Sequence, residues 1–190
     1  DFCEGDSMVE SDSHNVIIIG IGGRGVLVAG RLLAEAAMTQ YEHVTWLPSL
    51  TTAMRGGPCE ATIVFSHQHI PSPMVWRPQA IVVMESNQLS SFEDRVKPGG
   101  LIITESAGLS NGTKRSDVRF LKFPAISIAV GLGESQAANL ILLGAYVQAT
   151  QILPPELIET YLEKKFGSRE KVFSLNLQAF REGIRLVGSL

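Results

Sequence analysis

A short apolar run, Val16-Ile17-Ile18-Ile19, leads directly into Gly20-Ile21-Gly22-Gly23-Arg24-Gly25. Beyond it Val26, Leu27, Ala29, Leu32, Leu33 and Ala36 recur at helical spacing with no proline among them. β-Branched residues ending at a glycine fit a strand buried on both faces, and the following periodicity predicts a helix to about Thr39. A strand that turns through glycines straight into a helix restricts the chain to folds in which helices pack back across a sheet.

The rest of the sequence extends that unit. Runs at 44–47, 62–65, 80–84 and 101–104 predict four more strands. Between the last two, Lys97-Pro98-Gly99-Gly100 is a turn that delivers the chain into the next strand. Residues 137–149 are apolar nearly all round, which predicts a helix buried between other elements or under a partner. Pro154 and Pro155 stand where a helix can begin, ahead of a stripe formed by Leu157, Ile158, Tyr161, Leu162 and Phe166. Leu177, Phe180, Ile184 and Val187 close the chain as an amphipathic helix. The expected fold class is α/β: a three-layer, largely parallel Rossmann-like sheet with flanking helices and a C-terminal helical segment.

Residues 1–15 carry five acidic side chains and almost no apolar periodicity, so they read as a disordered acidic leader, with residues 16–190 forming a single domain. A net charge of -3 argues against nucleic acid as a partner. No apolar stretch approaches the roughly eighteen residues of a membrane span, and the acidic start lacks the layout of a secretory signal. A cytoplasmic protein is expected, with no membrane partner. The two cysteines, Cys3 and Cys59, are far apart and complete no zinc or iron–sulfur pattern. Cys59 beside Glu60 reads as an inert thiol. His67 and His69 flank Gln68 without a third ligand nearby, so a surface turn is preferred to a metal site.

Chemistry concentrates in two glycine-bearing segments. In Gly20, Gly22, Gly23 and Gly25 the glycines permit a tight turn and let backbone amides approach a phosphate, the helix start offers unpaired donors, and Arg24 would add charge. The competing reading is that these glycines only permit close packing of helix on sheet. No Asp or Glu stands at the end of the second strand, where a dinucleotide fold places one for the ribose, so NAD is disfavoured. The second segment, Met54-Arg55-Gly56-Gly57, follows Ser49 and projects one guanidinium from a free backbone, suited to an anion. Loops at the carboxyl ends of strands converge, so both segments are expected to line one crevice.

These residues also carry a resemblance. The run from Gly20 through Gly25 into Val-Leu-Val-Ala-Gly-Arg-Leu-Leu-Ala, Thr45-Trp-Leu-Pro-Ser, Met54-Arg-Gly-Gly, Arg95-Val-Lys-Pro-Gly-Gly-Leu, and Asn139 ahead of an apolar helix together resemble the gamma subunits of 2-oxoacid:ferredoxin oxidoreductases. Of these the 2-oxoglutarate type is most similar, with pyruvate and branched-chain (ketoisovalerate) types less so. The chain departs from the family at Arg24, where glutamine is common, and at residues 50–53, where Tyr-Gly-Pro-Glu is common.

The resemblance implies an oxidoreductase complex that oxidatively decarboxylates a 2-oxoacid with thiamine diphosphate, forms an acyl-coenzyme A and passes electrons to ferredoxin. Thiamine diphosphate, magnesium and iron–sulfur clusters would belong to partners: alpha and beta subunits and a ferredoxin-like subunit. This chain would be inactive alone and would assign no residue to acid or base work. Its glycine loops and Arg55 would shape the active-site cleft or hold the diphosphate of coenzyme A; whether the isolated chain self-associates to cover apolar surface is left open by the sequence. Two other readings stand beside it: a stand-alone Rossmann-like nucleotide-binding oxidoreductase, and an assembly scaffold without a ligand.

Overall fold

A computed structural model describes residues 13–50, 58–109 and 111–190. The first strand, β1 (Ser13–Ile21), buries both faces from Val16 to Gly20, as its unbroken β-branched run requires. It begins before Val16, so residues 13–15 belong to the sheet; the rest of the expected leader lies outside the described residues. The turn then opens α1 (Val26–Ala37).

The other strands are β2 (His43–Leu50), β3 (Pro58–Ser66), β4 (Ala80–Val83), β5 (Leu101–Glu105) and β6 (Arg119–Phe123). They form one sheet in the order β2-β3-β1-β4-β5-β6. β1, β4, β5 and β6 pair in parallel, whereas β3 lies antiparallel to both β1 and β2. The largely parallel expectation therefore holds with β3 as its exception. Residues 51–57 are too few for the crossover of a dozen or more residues that a parallel return needs.

The sheet separates two apolar layers. On one face Ile18, Ile63, Phe65 and Ile103 pack with α1, α3 (Ala125–Leu132), α4 (Ala138–Thr150), α5 (Pro155–Phe166) and α6 (Glu170–Gly188). On the other, Ile17, Ile19, Ile81 and Ile102 are covered by a thinner layer that includes the single-turn α2 (Leu89–Phe92), Val96 and Phe120. α4 is buried from Ala138 to Val147, as its all-round apolar sequence demands, because it lies between the sheet and α6. α3 and β6 were not anticipated from the sequence. The Lys97 turn is present, with the Gly100 amide donating to the Lys97 carbonyl at 2.9 Å and Gly99 at φ +75°.

Candidate functional site

β1 ends at Ile21, and Gly22 to Gly25 carry the chain into α1. Gly23 and Gly25 both adopt left-handed backbone, at φ +93° and +78°, a region that other residues enter only at a cost. Gly25 is the residue preceding the helix, so α1 starts without a side-chain cap. The Gly25 carbonyl accepts from Ala29, but the amides of Val26, Leu27 and Val28 have no acceptor among the described residues. Three donors and the positive end of the helix dipole thus point out of α1.

Those donors face a cavity of about 690 Å³. Gly22, Gly23, Gly25 and the first turn of α1 form one wall; Gly133 to Leu140 form a second; the α5–α6 junction and the start of α6 form a third. Apolar lining comes from Val26, Leu140, Phe166 and Leu175. Charge comes from Arg169 and Lys171, exposed side chains with no carboxylate partner among the described residues, and from Glu134, which accepts from the Gln136 amide at 3.1 Å. The Arg169 guanidinium stacks on Phe166 at 5.6 Å, which aims it along the third wall. Neither basic residue was singled out from the sequence; they follow α5, far along the chain from the glycines, in a segment without a motif.

The glycine cluster divides between its two readings residue by residue. Gly20 is a packing position: a Cβ there would meet Val26 at 2.7 Å and Met84 at 3.2 Å, and Gly20 does not line the cavity. Gly23 has open space around it, so only its backbone angle requires glycine. Gly25 is constrained both ways, since a Cβ would fall 2.1 Å from Asn139 Nδ2.

Arg24 corrects an expectation. Its Nε lies 2.9 Å from Glu85 Oε1, beyond β4, and it does not line the cavity. The approach is an ion pair without hydrogen-bond alignment, because Glu85 Oε1 accepts no hydrogen bond among the described residues. The charge expected to serve the pocket is spent on Glu85. Ser49 also stands apart: it is exposed on β2 opposite Glu60 of β3, two strands from β1, or about 10 Å at the usual strand spacing. Met54, Arg55, Gly56 and Gly57 lie outside the described residues. The positions on either side of them, Leu50 and Pro58, are at the end of the sheet where β1 enters the glycine turn, Pro58 being paired with Ile21.

Cys59 lines the cavity at 3% exposure. Burial, and then the neighbouring Glu60, push its thiol above the ordinary range, the opposite of what a nucleophile needs. His67 packs on Tyr41 at 4.8 Å and His69 on His43 at 6.0 Å, and the described residues contain no group of three metal-ligating side chains. Among the described residues no helix is long and apolar enough to cross a membrane.

Fold and site together define an α/β domain with a pocket at a helix start, lined by apolar and basic groups. The profile of the pyruvate ferredoxin/flavodoxin oxidoreductase family matches residues 15–186. The chain belongs to that family. It is 33% identical over 171 residues to ketoisovalerate oxidoreductase subunit VorA of Methanothermobacter thermautotrophicus, covering 88% of this chain but 35% of VorA. This chain thus spans about a third of the length of the VorA relatives it matches. With 2-oxoglutarate synthase subunit KorC of the same organism it is 30% identical over 180 residues, covering 90% of this chain and 93% of KorC. Among solved structures, the gamma subunit of a keto/oxoacid ferredoxin oxidoreductase from Geobacter sulfurreducens has the same fold, with a TM-score of 0.77, 23% identity and coverage of 93% and 97%. A 2-oxoglutarate:ferredoxin oxidoreductase from Magnetococcus marinus, with 2-oxoglutarate, coenzyme A and succinyl-CoA bound, superposes over 95% of this chain and 32% of its own, with a TM-score of 0.85 at 20% identity.

Proposed function

We propose that this chain is the gamma subunit of a cytoplasmic 2-oxoacid:ferredoxin oxidoreductase, and that its cavity at the start of α1 receives the phosphate-bearing end of coenzyme A. The observation that carries the ligand assignment is the pairing of three unpartnered helix-start amides with Arg169 and Lys171 across one cavity. Amides at a helix start suit a phosphate, two cations suit a polyanion, and the apolar wall around Leu140 and Leu175 suits a long, partly apolar ligand. The Magnetococcus marinus enzyme, which shares the fold, holds coenzyme A and succinyl-CoA.

The residues of this chain do not fit the redox groups of such a complex. Two cysteines are too few for an iron–sulfur cluster, and the described residues offer no set of three ligands for a metal. The reading therefore assigns thiamine diphosphate, magnesium and clusters to alpha, beta and ferredoxin-like subunits, with ferredoxin as electron acceptor. It gives this chain the work of binding coenzyme A and excluding water from the cleft. For the 2-oxoacid, 2-oxoglutarate is favoured because, among relatives matched along about nine tenths of their length, KorC of Methanothermobacter thermautotrophicus is 30% identical, against 28% for a pyruvate synthase subunit PorC and 25% for a pyruvate/ketoisovalerate common gamma subunit.

The test uses the complex assembled from this chain and its sister subunits, assayed with a panel of 2-oxoacids. Arg169→Ala and Lys171→Ala are each expected to raise KM for coenzyme A about tenfold, the loss of one charged hydrogen bond, with KM for the 2-oxoacid unchanged. An unaltered coenzyme A constant in both variants sinks the ligand assignment. Copurification of the chain alone, with tight NAD binding, would replace the subunit reading with the stand-alone one.

A further inference from the structure

Residues 67–79 join β3 to β4, at the length where a connection without secondary structure becomes uncommon and tends to be functional. Pro71, Pro73 and Pro78 restrict its backbone. It carries two of the most exposed large apolar side chains among the described residues, Met74 at 77% and Trp76 at 79%. Exposed apolar groups on a slack loop would mean little. Here the segment is fastened: the Arg95 guanidinium lies 5.2 Å from the Trp76 ring and 5.3 Å from the Phe92 ring, and donates to the Trp76 and Val75 carbonyls at 3.2 Å each. The indole is held facing water before anything binds it.

A braced tryptophan beside an arginine has the composition of an interface hot spot, and the bracing lowers the ordering cost of association. Arg77 is exposed beside it, and neither Arg77 nor Arg95 has a carboxylate partner among the described residues. The matching surface is an apolar recess edged by carboxylates. In the VorA relatives the region matching this chain is 35% of the polypeptide, so a homologous domain there has further polypeptide of the same protein beside it.

We propose that Trp76 and Met74, braced by Arg95 and flanked by Arg77, anchor this chain to a sister subunit of its complex, in a recess with an acidic rim. The proposal rests on the subunit reading given above. It involves no residue of the cavity at α1, so the two can fail separately.

Hydroxyl-radical footprinting of the free chain and of the assembled complex, read by peptide mass spectrometry, tests it. Oxidation of Met74 and Trp76 is expected to fall at least fivefold on assembly. Trp76→Ala is expected to weaken association with the sister subunits about thirtyfold, the effect of losing one hot-spot side chain, and Arg77→Glu to weaken it further than Arg77→Ala. Circular dichroism and thermal unfolding of each free variant verify that the fold is intact. Unchanged oxidation on assembly, or unchanged affinity of a folded Trp76→Ala chain, overturns the anchor while leaving the subunit reading in place. Protection already present in the free chain, with a dimer in sedimentation, makes a second copy the occupant and overturns the sister-subunit assignment. If no sister subunit binds the unaltered chain, both readings fall together.

Discussion

Asn139, in the first turn of α4, donates from Nδ2 to the carbonyl oxygen of Gly25 at 3.1 Å. The bond crosses between elements far apart in sequence and fixes the glycine turn against the helix that forms the opposite wall of the cavity. Asn139 is 7% exposed, and the Gly25 carbonyl keeps its bond from the Ala29 amide when Asn139 is lost, so breaking this bond costs the net worth of one hydrogen bond, about 0.5–1.5 kcal/mol. Asn139→Ala should lower unfolding free energy in urea by that amount and weaken ligand binding at the turn. Gly25→Ala should cost about 1–2 kcal/mol from left-handed backbone alone, with the clash against Nδ2 in addition. Since removing the asparagine relieves that clash, the double variant should lose less than the sum of the two single ones. Simple additivity would mean that the two residues do not act through this contact.

The ion pair of Arg24 with Glu85 predicts a small effect. Its arginine side chain is 39% exposed, so the pair is expected to contribute less than about 1 kcal/mol. Arg24→Gln should leave stability within that margin and the KM for coenzyme A unchanged, in contrast to Arg169→Ala. A rise comparable to that of the Arg169 variant would show that Arg24 leaves Glu85 to meet the ligand.

The contrast between Arg24 and Arg169 shows where the sequence was legible. The strand, turn and helix around Gly20 announced themselves because a β-branched run, a glycine cluster and a 3.6-residue period follow one another without interruption. Five of the strands could be placed on apolar runs alone. β6 could not, since Arg119 and Lys122 break its apolar run at the sheet edge, and α3 is too short for a period to develop. Side-chain direction was the greater loss. Arg24 sits inside the motif yet turns to a carboxylate delivered by β4, whereas Arg169 and Lys171 carry no motif and reach the cavity because α5 folds back over α1 and leads into α6, which packs on α4. Only the three-dimensional arrangement joins them.

Cys59 gives a pH-dependent prediction. The folded chain holds its thiol neutral, with burial first and Glu60 second raising its pKa. A raised value means that the folded state keeps the proton after the unfolded state has released it. The associated stability is complete below the unfolded value, about 8.5, and is lost as pH rises from there through the folded value. In a Cys3→Ser background, urea unfolding should show a decline above about pH 8.5 that Cys59→Ala lacks. The single thiol should react with a disulfide reagent at pH 7.5 far more slowly than a free cysteine, because it is nearly buried in the cavity wall and protonated. Rapid labelling of the native chain would contradict the buried, protonated state.

The contact between α4 and α6 supplies the sharpest stability test. A Cβ at Gly183 would lie 1.9 Å from the Ile141 carbonyl oxygen, and one at Gly144 would lie 2.1 Å from that of Phe180. The helices therefore meet backbone to backbone, closer than any side chain allows, and neither partner atom is a flexible end that can swing aside. α4 is buried between the sheet and α6, so separating the helices would disturb the packing of both layers. Gly183→Ala and Gly144→Ala should each cost at least about 3 kcal/mol, at or beyond the upper end for overpacked cores, and the Gly183 variant should accumulate as insoluble protein. Gly188→Ala is the control: nothing lies within 4 Å of its added Cβ, and replacing a helical glycine by alanine there should be neutral or stabilise by up to about 1 kcal/mol. Equal effects at Gly183 and Gly188 in a denaturant series would mean that helix propensity, and not the close approach of α4 and α6, sets the cost.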